Sequence, residues 1–353
     1  MRIVFFKPED PLRHCEENSV PDSFQTDLRV HRYSETVINS LPTRPKYPSS
    51  NWVADQGAKV ERIEKYVSRG GGQMADDGSG DYHLDGFHFR TYPGREGYDE
   101  SFLGPKVSLP RLDDSIVGQA AERLDDPGNR ELEYTHFSIV QNKMRRMPFF
   151  TAVNIDGATS EVVHDKVKWA YEGRLPLQHQ LGNVAYVKND LDRGHLVHGQ
   201  TPAWGPQGEQ GRADTYNYVN AALQHKKLNQ EEWLDLENQL LDGARDEKRK
   251  VSVFAGPVFS DSDRYFDNGG RIRPAVQIPQ SYWKVVVWHD PDKGLQSESY
   301  LMSQSKDLSD ESPDVRYEDG ADLSAYRVPL QQLEELTHLQ FPELHGTERR
   351  SRK

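Results

Sequence analysis

Residues 187–199 read VKNDLDRGHLVHG, and residues 220–237 read NAALQHKKLNQEEWLDLE. The first stretch ends an Asp192-Arg-Gly-His195 tetrapeptide on a single histidine and then turns apolar. By itself this tetrapeptide reads equally as a solvated turn closed by an Asp192–Arg193 pair. The chemical alternative is a phosphodiester-cleaving site. Imidazole has an ordinary pKa near 6.5 and can take a proton from water at neutral pH. The planar guanidinium of Arg193 offers a fork of donors suited to phosphate oxygens. Such hydrolysis needs a base for water, a countercharge for the transition state, and a cation or acid at the leaving oxygen.

The second stretch opens the longest amphipathic run of the chain, 229–250, with Trp233, Leu236 and Leu240 at three- and four-residue steps and Leu234 and Leu241 beside them. Asn229 with Glu232 three residues on has the form of an N-cap and its reciprocal glutamate. A competing role for the same carboxamide oxygen is to hold Mg²⁺, which keeps most of its waters and takes few protein ligands. Glu237 follows eight residues later, roughly 80° around a continuous helix. There it is either an exposed glutamate or a group able to reach a metal's water or an arginine.

The chain has 353 residues, with 44 Lys and Arg against 56 Asp and Glu, for a formal net charge of -12. That balance opposes a broad nucleic-acid surface built on Lys and Arg, but it does not bear on a local cleft. Hydrophobic residues make up 35% and the mean hydropathy is -0.85, which points to polar segments beside a globular part. Cys15 is the lone cysteine, so no internal disulfide and no thiolate metal site can form. The opening MRIVFFKPEDPLRHCEENS lacks the apolar run of a signal peptide. No stretch reaches the roughly 18–20 apolar residues of a membrane span. A cytoplasmic protein is the simplest expectation, with export by a signal-independent route still compatible.

Residues 58–69 have the spacing of a short helix ended by the Gly-rich tract at 70–81, and 1–94 read as a polar, partly disordered extension. THFSIVQN (135–142) and PFFTAVNIDG (148–157) predict an antiparallel pair joined by KMRRM, whose Arg145 and Arg146 read as a solvated turn. GNVAYVKN (182–189), KVSVFAGPVF (250–259) and YWKVVVWHD (282–290) are further strand candidates, the last two apolar enough to be buried on both faces. VPLQQLEELTHL (328–339) predicts a helix after the acidic loop at 306–322, and 346–353 is a basic tail. His83 and His88 lack a convincing third ligand for zinc. Strands mixed with helices without regular alternation indicate an α+β fold.

The two opening stretches together resemble the DNA/RNA non-specific endonuclease family, which includes endonuclease G, within the ββα-metal nucleases. The register DRGH, Asn220, Asn229-Gln, Trp233, Glu237 is the family's pattern, and the resemblance extends over about residues 95–345. It implies a central antiparallel sheet flanked by helices. It also implies His195 as general base, Asn229 as the Mg²⁺ ligand with Mn²⁺ as a substitute, and Glu237 positioning water in the ion's shell. Asn220 would support the site by hydrogen bonding, Arg193 would serve phosphate, and Arg174 of GRLP would stabilise the transition state. DNA and RNA are the implied substrates, 5′-phosphate ends the implied products, and a homodimer the implied assembly. Restraint by an inhibitor protein is expected of any enzyme that endangers its own nucleic acid. Two departures stand out: Leu223 occupies the place of the usual proline, and His198-Gly199 the place of basic residues. They support a rival expectation, a catalytically silent nucleic-acid or protein-binding module on a nuclease scaffold.

Overall fold

A computed structural model of the chain describes residues 81–84, 86–308 and 323–349. The helix expected over 58–69, Cys15, most of the acidic loop and the last four residues of the basic tail lie outside them. In chain order, the elements that position the site begin with a hairpin, β1 (Asp81–Leu84) and β2 (Phe87–Arg90). Strands β3 (Glu131–Tyr134), β4 (Phe137–Asn142), β5 (Met147–Asp156), β6 (Tyr171–Glu172) and β7 (Leu191–His195) follow. After helix α1 (Gly208–Asp214) come β8 (Ala221–His225) and helices α2 (Lys226–Gln230) and α3 (Glu232–Asp246). The last are β9 (Lys250–Val258), β10 (Ser281–Asp290), β11 (Gly294–Ser303) and helix α4 (Leu330–Thr337).

Six strands make one antiparallel sheet in the order β11-β10-β9-β5-β4-β3. The expected β4–β5 pair is present, with its register shifting between Val140 and Gln141. Strands β9 and β10 read as nearly continuous apolar runs because both faces of the sheet are covered. Side-chain alternation sends Val251, Val253, Tyr282 and Val286 to one face and Phe254, Trp283, Val285 and Val287 to the other. The first face lies under α3, through Trp233, Leu236, Leu241 and Ala244, and under Leu191 and Leu223. The second packs against Leu330 and Leu333 of α4 and against Tyr98 and Phe102. Lys284 falls on the first face by the same alternation and is buried there.

Two expectations change. The segment 182–189 is not a strand: Asn183–Ala185 form a 3-10 turn, Lys188 has φ 59°, and the Asn189 amide donates to Ala185 O and Val187 O, folding the chain back. Arg145 and Arg146 are not a solvated turn. Arg145 is held by Asp263 at 3.2 Å and by Ser260 O at 2.5 Å, and Arg146 is buried with its guanidinium on Pro274 O. The β1–β2 hairpin, upstream of residue 95, joins a three-stranded sheet through parallel pairing of β2 with β6. In it His83 stacks on His88, and His88 sits between Asp81 Oδ2 and Trp169 O. Among the described residues no group of three or more His, Cys, Asp or Glu could hold a metal.

β7 and β8 pair antiparallel with Gly194 opposite Ala222 and His195 opposite Ala221, and α2 and α3 follow directly. This hairpin-plus-helix is the ββα unit. A Cβ at Gly194 would lie 1.9 Å from Gln224 Oε1, so only glycine lets the Gln224 side chain cross the hairpin. Gly194→Ala is therefore expected to destabilise the fold by about 1–3 kcal/mol through overpacking. Urea unfolding of Gly194→Ala, alone and with Gln224→Ala, checks this, because truncating Gln224 should relieve most of the loss.

Candidate active site

Because β7 is a strand, Arg193 and His195 project to one side and Asp192 to the other. The His195 ring lies 4.8 Å from Trp169 and 5.2 Å from Tyr216, centroid to centroid. Arg193 rests on the same Trp169 ring at 5.1 Å and donates to Asn183 Oδ1 at 2.6 Å. Asp192 does not pair with Arg193. Its Oδ2 accepts from Asn229 Nδ2 at 3.0 Å and Gln230 Nε2 at 2.7 Å. The solvated turn is thus not what this tetrapeptide forms.

Asn229 is not an N-cap either. It lies inside α2, which is capped one turn earlier by His225, whose ring accepts from Lys227 N at 3.3 Å. The two helices are separate because Glu231 leaves the helical region, at φ −116° and ψ −104°. With the amide nitrogen committed to Asp192, the Asn229 carboxamide oxygen is left without a protein partner among the described residues. A capping role no longer competes for that atom.

Asn220 is fully buried and works on three backbone groups. Its Oδ1 accepts from Val197 N, and its Nδ2 donates to Val197 O and Thr215 O, each at 3.0 Å. Those bonds fix the chain as it leaves β7 and hence the direction in which His195 is presented. Nε2 of His195 is shut off from solvent and has no hydrogen-bond partner among the described residues. Burial first, then the charges of His198, Arg212 and Arg193, push the imidazole down to about 3 from its ordinary 6.5. His195 is consequently neutral at neutral pH, as a base must be.

Glu237 is also not the exposed glutamate that its helix position alone suggests. It is buried, and Lys284 Nζ donates to its Oε1 at 3.0 Å across the α3–β10 interface. Arg174 stands apart from this group. It is buried between Tyr92 and Tyr134, with Nε and Nη2 on the two oxygens of Glu172 at 2.9 and 3.0 Å and Nη1 on Glu133 O at 3.1 Å. The structure thus puts His195 and Arg193 on one face of β7 and ties Asn229, through Asp192, to the other; Asn220 fixes the chain at the end of the strand, and Arg174 is committed to Glu172.

Residues 120–347 match the family model for DNA/RNA non-specific endonuclease, about two thirds of the chain. The chain belongs to that family. A curated relative in Sinorhizobium fredii, named "Uncharacterized protein y4fB", is 35% identical over 227 residues, 60% of this chain and 33% of that protein. The chain thus spans about a third of the length of that relative. Among solved structures, the crystal structure of the EndoG/EndoGI complex is similar at a TM-score of 0.48 and 19% identity, over 60% of this chain and 85% of that one.

Sequence reasoning missed four groups that this endonuclease-family site contains. Trp169 carries no motif signal, and only the fold sets it under both Arg193 and His195. Arg212 donates to Asp165 and to the Tyr216 hydroxyl and adds positive charge beside His195. His198 reads as a missing basic residue, yet it is nearly buried, its Nδ1 is unpartnered, and burial lowers its pKa. Lys284 was hidden in an apolar strand, where a lone lysine was itself the available signal.

Two outcomes follow for stability. The unfolded chain protonates His195 and His198 near 6.5, whereas the fold holds both neutral to lower pH. Between these limits the unfolded state binds more protons, so stability present above pH 6.5 is lost as pH falls toward 3. The urea midpoint is expected to drop from pH 7.5 to pH 5, and less so in His195→Asn. Arg174→Met strands the buried Glu172 carboxylate and is expected to cost about 3–5 kcal/mol in urea unfolding. Adding Glu172→Gln should recover most of that loss.

Proposed function

We propose that this chain is a divalent-metal-dependent endonuclease that hydrolyses DNA and RNA without regard to sequence and leaves 5′-phosphate ends. Family membership supports the nuclease activity itself. The finer reading is carried by one arrangement: a neutral imidazole and a guanidinium share one strand face, and an unpartnered carboxamide oxygen is tied to the same strand through Asp192.

The donor set fits a hard, well-hydrated cation. Asn229 supplies one neutral oxygen, and no cluster of three acidic, His or Cys side chains is present among the described residues. Mg²⁺ accepts such a site because it keeps its waters and takes its remaining ligands from phosphate, and Mn²⁺ shares the preference for oxygen. When bound, the ion would neutralise charge developing on the phosphate and on the leaving oxygen. His195 then works through Nδ1, taking the proton of the attacking water while Nε2, which is shut off from solvent, carries the other ring hydrogen. A phosphodiester beside it offsets the fields of Arg193 and Arg212, which raises the basicity of the imidazole as substrate binds. Those two guanidiniums are directed to phosphate oxygens. Such contacts carry no sequence information, which accounts for weak base preference. Glu237 offers Oε2 for orienting water. Homodimerisation, restraint by an inhibitor protein and cytoplasmic residence belong to the same proposal.

The test is cleavage of plasmid DNA and structured RNA with Mg²⁺ or EDTA. His195→Ala is expected to lose about 10²–10⁴-fold in rate, the usual worth of a general base. Asn229→Ala should be comparably impaired at low Mg²⁺ and partly restored at high Mg²⁺, whereas excess metal leaves His195→Ala unrepaired. Equal cleavage with EDTA, or full activity of His195→Ala, overturns the reading.

A further inference from the structure

Lys284 is the one lysine in β10, a strand otherwise apolar from Tyr282 to Trp288, and its side chain is 3% exposed. Its ammonium lies 3.0 Å from Glu237 Oε1 and 4.4 Å above the Trp233 ring. Trp233 and Glu237 are one helical turn apart on α3, so one cation touches two successive turns of the same helix face. Placing a lysine in a sheet core is costly unless it is paired, and Glu237 is the one hydrogen-bond partner it has among the described residues. Three contacts therefore define its place: the strand that carries it, the Trp233 ring, and a single carboxylate oxygen.

The division of that carboxylate is informative. Oε1 is held inward by Lys284, whereas Oε2 has no hydrogen bond among the described residues. His198, three residues after His195, feels the charge of both Glu237 and Lys284, as well as that of Arg212 and Arg245. Lys284 lies on the sheet face that packs with Trp233 and Leu236 and with Leu191 of the DRGH strand, so the pair is on the same side of the sheet as that strand. An aliphatic residue at 284 would continue the apolar run of β10 but would leave Glu237 buried and uncompensated.

We infer that Lys284 is a positioning residue of the nuclease reaction, which locks the inner oxygen of Glu237 so that the outer oxygen faces the water-binding side of the site. This rests on the proposed nuclease function and on the role of Glu237 within it. The lysine touches neither substrate nor metal, so its effect passes entirely through Glu237.

The experiment compares the full chain with Lys284→Met, Lys284→Arg, Glu237→Gln and the double variant Lys284→Met/Glu237→Gln, in kcat and KM on plasmid DNA with Mg²⁺ and in thermal midpoint. Lys284→Met is expected to lower kcat about 10–100-fold, the usual cost of losing a supporting partner, with KM within about twofold. Lys284→Arg, which keeps the donor and charge, should recover much of the rate. The double variant, with both charges removed, should fold well and cleave no more slowly than Glu237→Gln alone, because Lys284 has nothing left to position. Wild-type kcat in a folded Lys284→Met overturns the inference while leaving the nuclease reading intact. So does a double variant whose losses multiply. A wild-type chain that cleaves neither DNA nor RNA overturns the reading on which the inference rests.

Discussion

The Asn220 carboxamide ties the end of β7 to the segment before β8 through Val197 and Thr215. It does so in full burial, where a carboxamide left unsatisfied costs about 1–3 kcal/mol per group and one fully satisfied rigidifies its surroundings. The β7–β8 hairpin supplies the rest of the constraint. Its register puts His195 opposite Ala221, a small neighbour, and passes the Gln224 side chain over Gly194. With the strand direction set in this way, Arg193 must share the face of His195 and Asp192 must turn to α2. The placement of His195 and Arg193 on one face, and of Asp192 with Asn229 on the other, is thus a consequence of one hairpin's pairing.

Electrostatics at the site run against the average of the chain. The formal charge is -12, yet the groups that reach His195 or His198 include Arg193, Arg212, Arg245 and Lys284, with Glu237 the one carboxylate among them. Both histidines respond to burial and to these cations in the same direction, toward the neutral form. Charge is thus distributed unevenly, with a local positive field around these histidines inside an acidic protein. Net charge is therefore a poor guide to this protein's ligands, since the charges that act are those within a few ångströms of the site.

What could be read in advance follows the same division. The sheet was legible because β9 and β10 are apolar throughout, and α3 because Trp233, Leu236 and Leu241 keep one helical face. The DRGH-to-Glu237 spacing was legible only through its resemblance to the family's pattern. Local propensity failed where a side chain redirected the backbone, as Asn189 did in turning 182–189 away from a strand. It failed again at Asn229, where His225 starts the helix a turn early and Glu231 breaks it. The ties of Arg145 and Arg146 were invisible because Asp263, Ser260 O and Pro274 O are distant in sequence, and the burial of Arg174 because no motif marks its closure on Glu172, two residues away.

The break at Glu231 has a structural consequence for the site as a whole. A continuous helix from 226 to 246 would make Asn229 and Glu237 move as one body, and their separation would be set by helix geometry alone. With the break, each has its own anchor. Asn229 is held to β7 by Asp192, on the same strand as His195. Glu237 is held to the central sheet by Lys284. His195 and Asn229 are therefore coupled to each other through one strand, and Glu237 is referenced to the central sheet. Pre-organisation of this kind depends on the supporting partners as much as on the groups themselves. Two of those partners, Asp192 and Lys284, are charged residues whose side chains are spent on holding another residue in place.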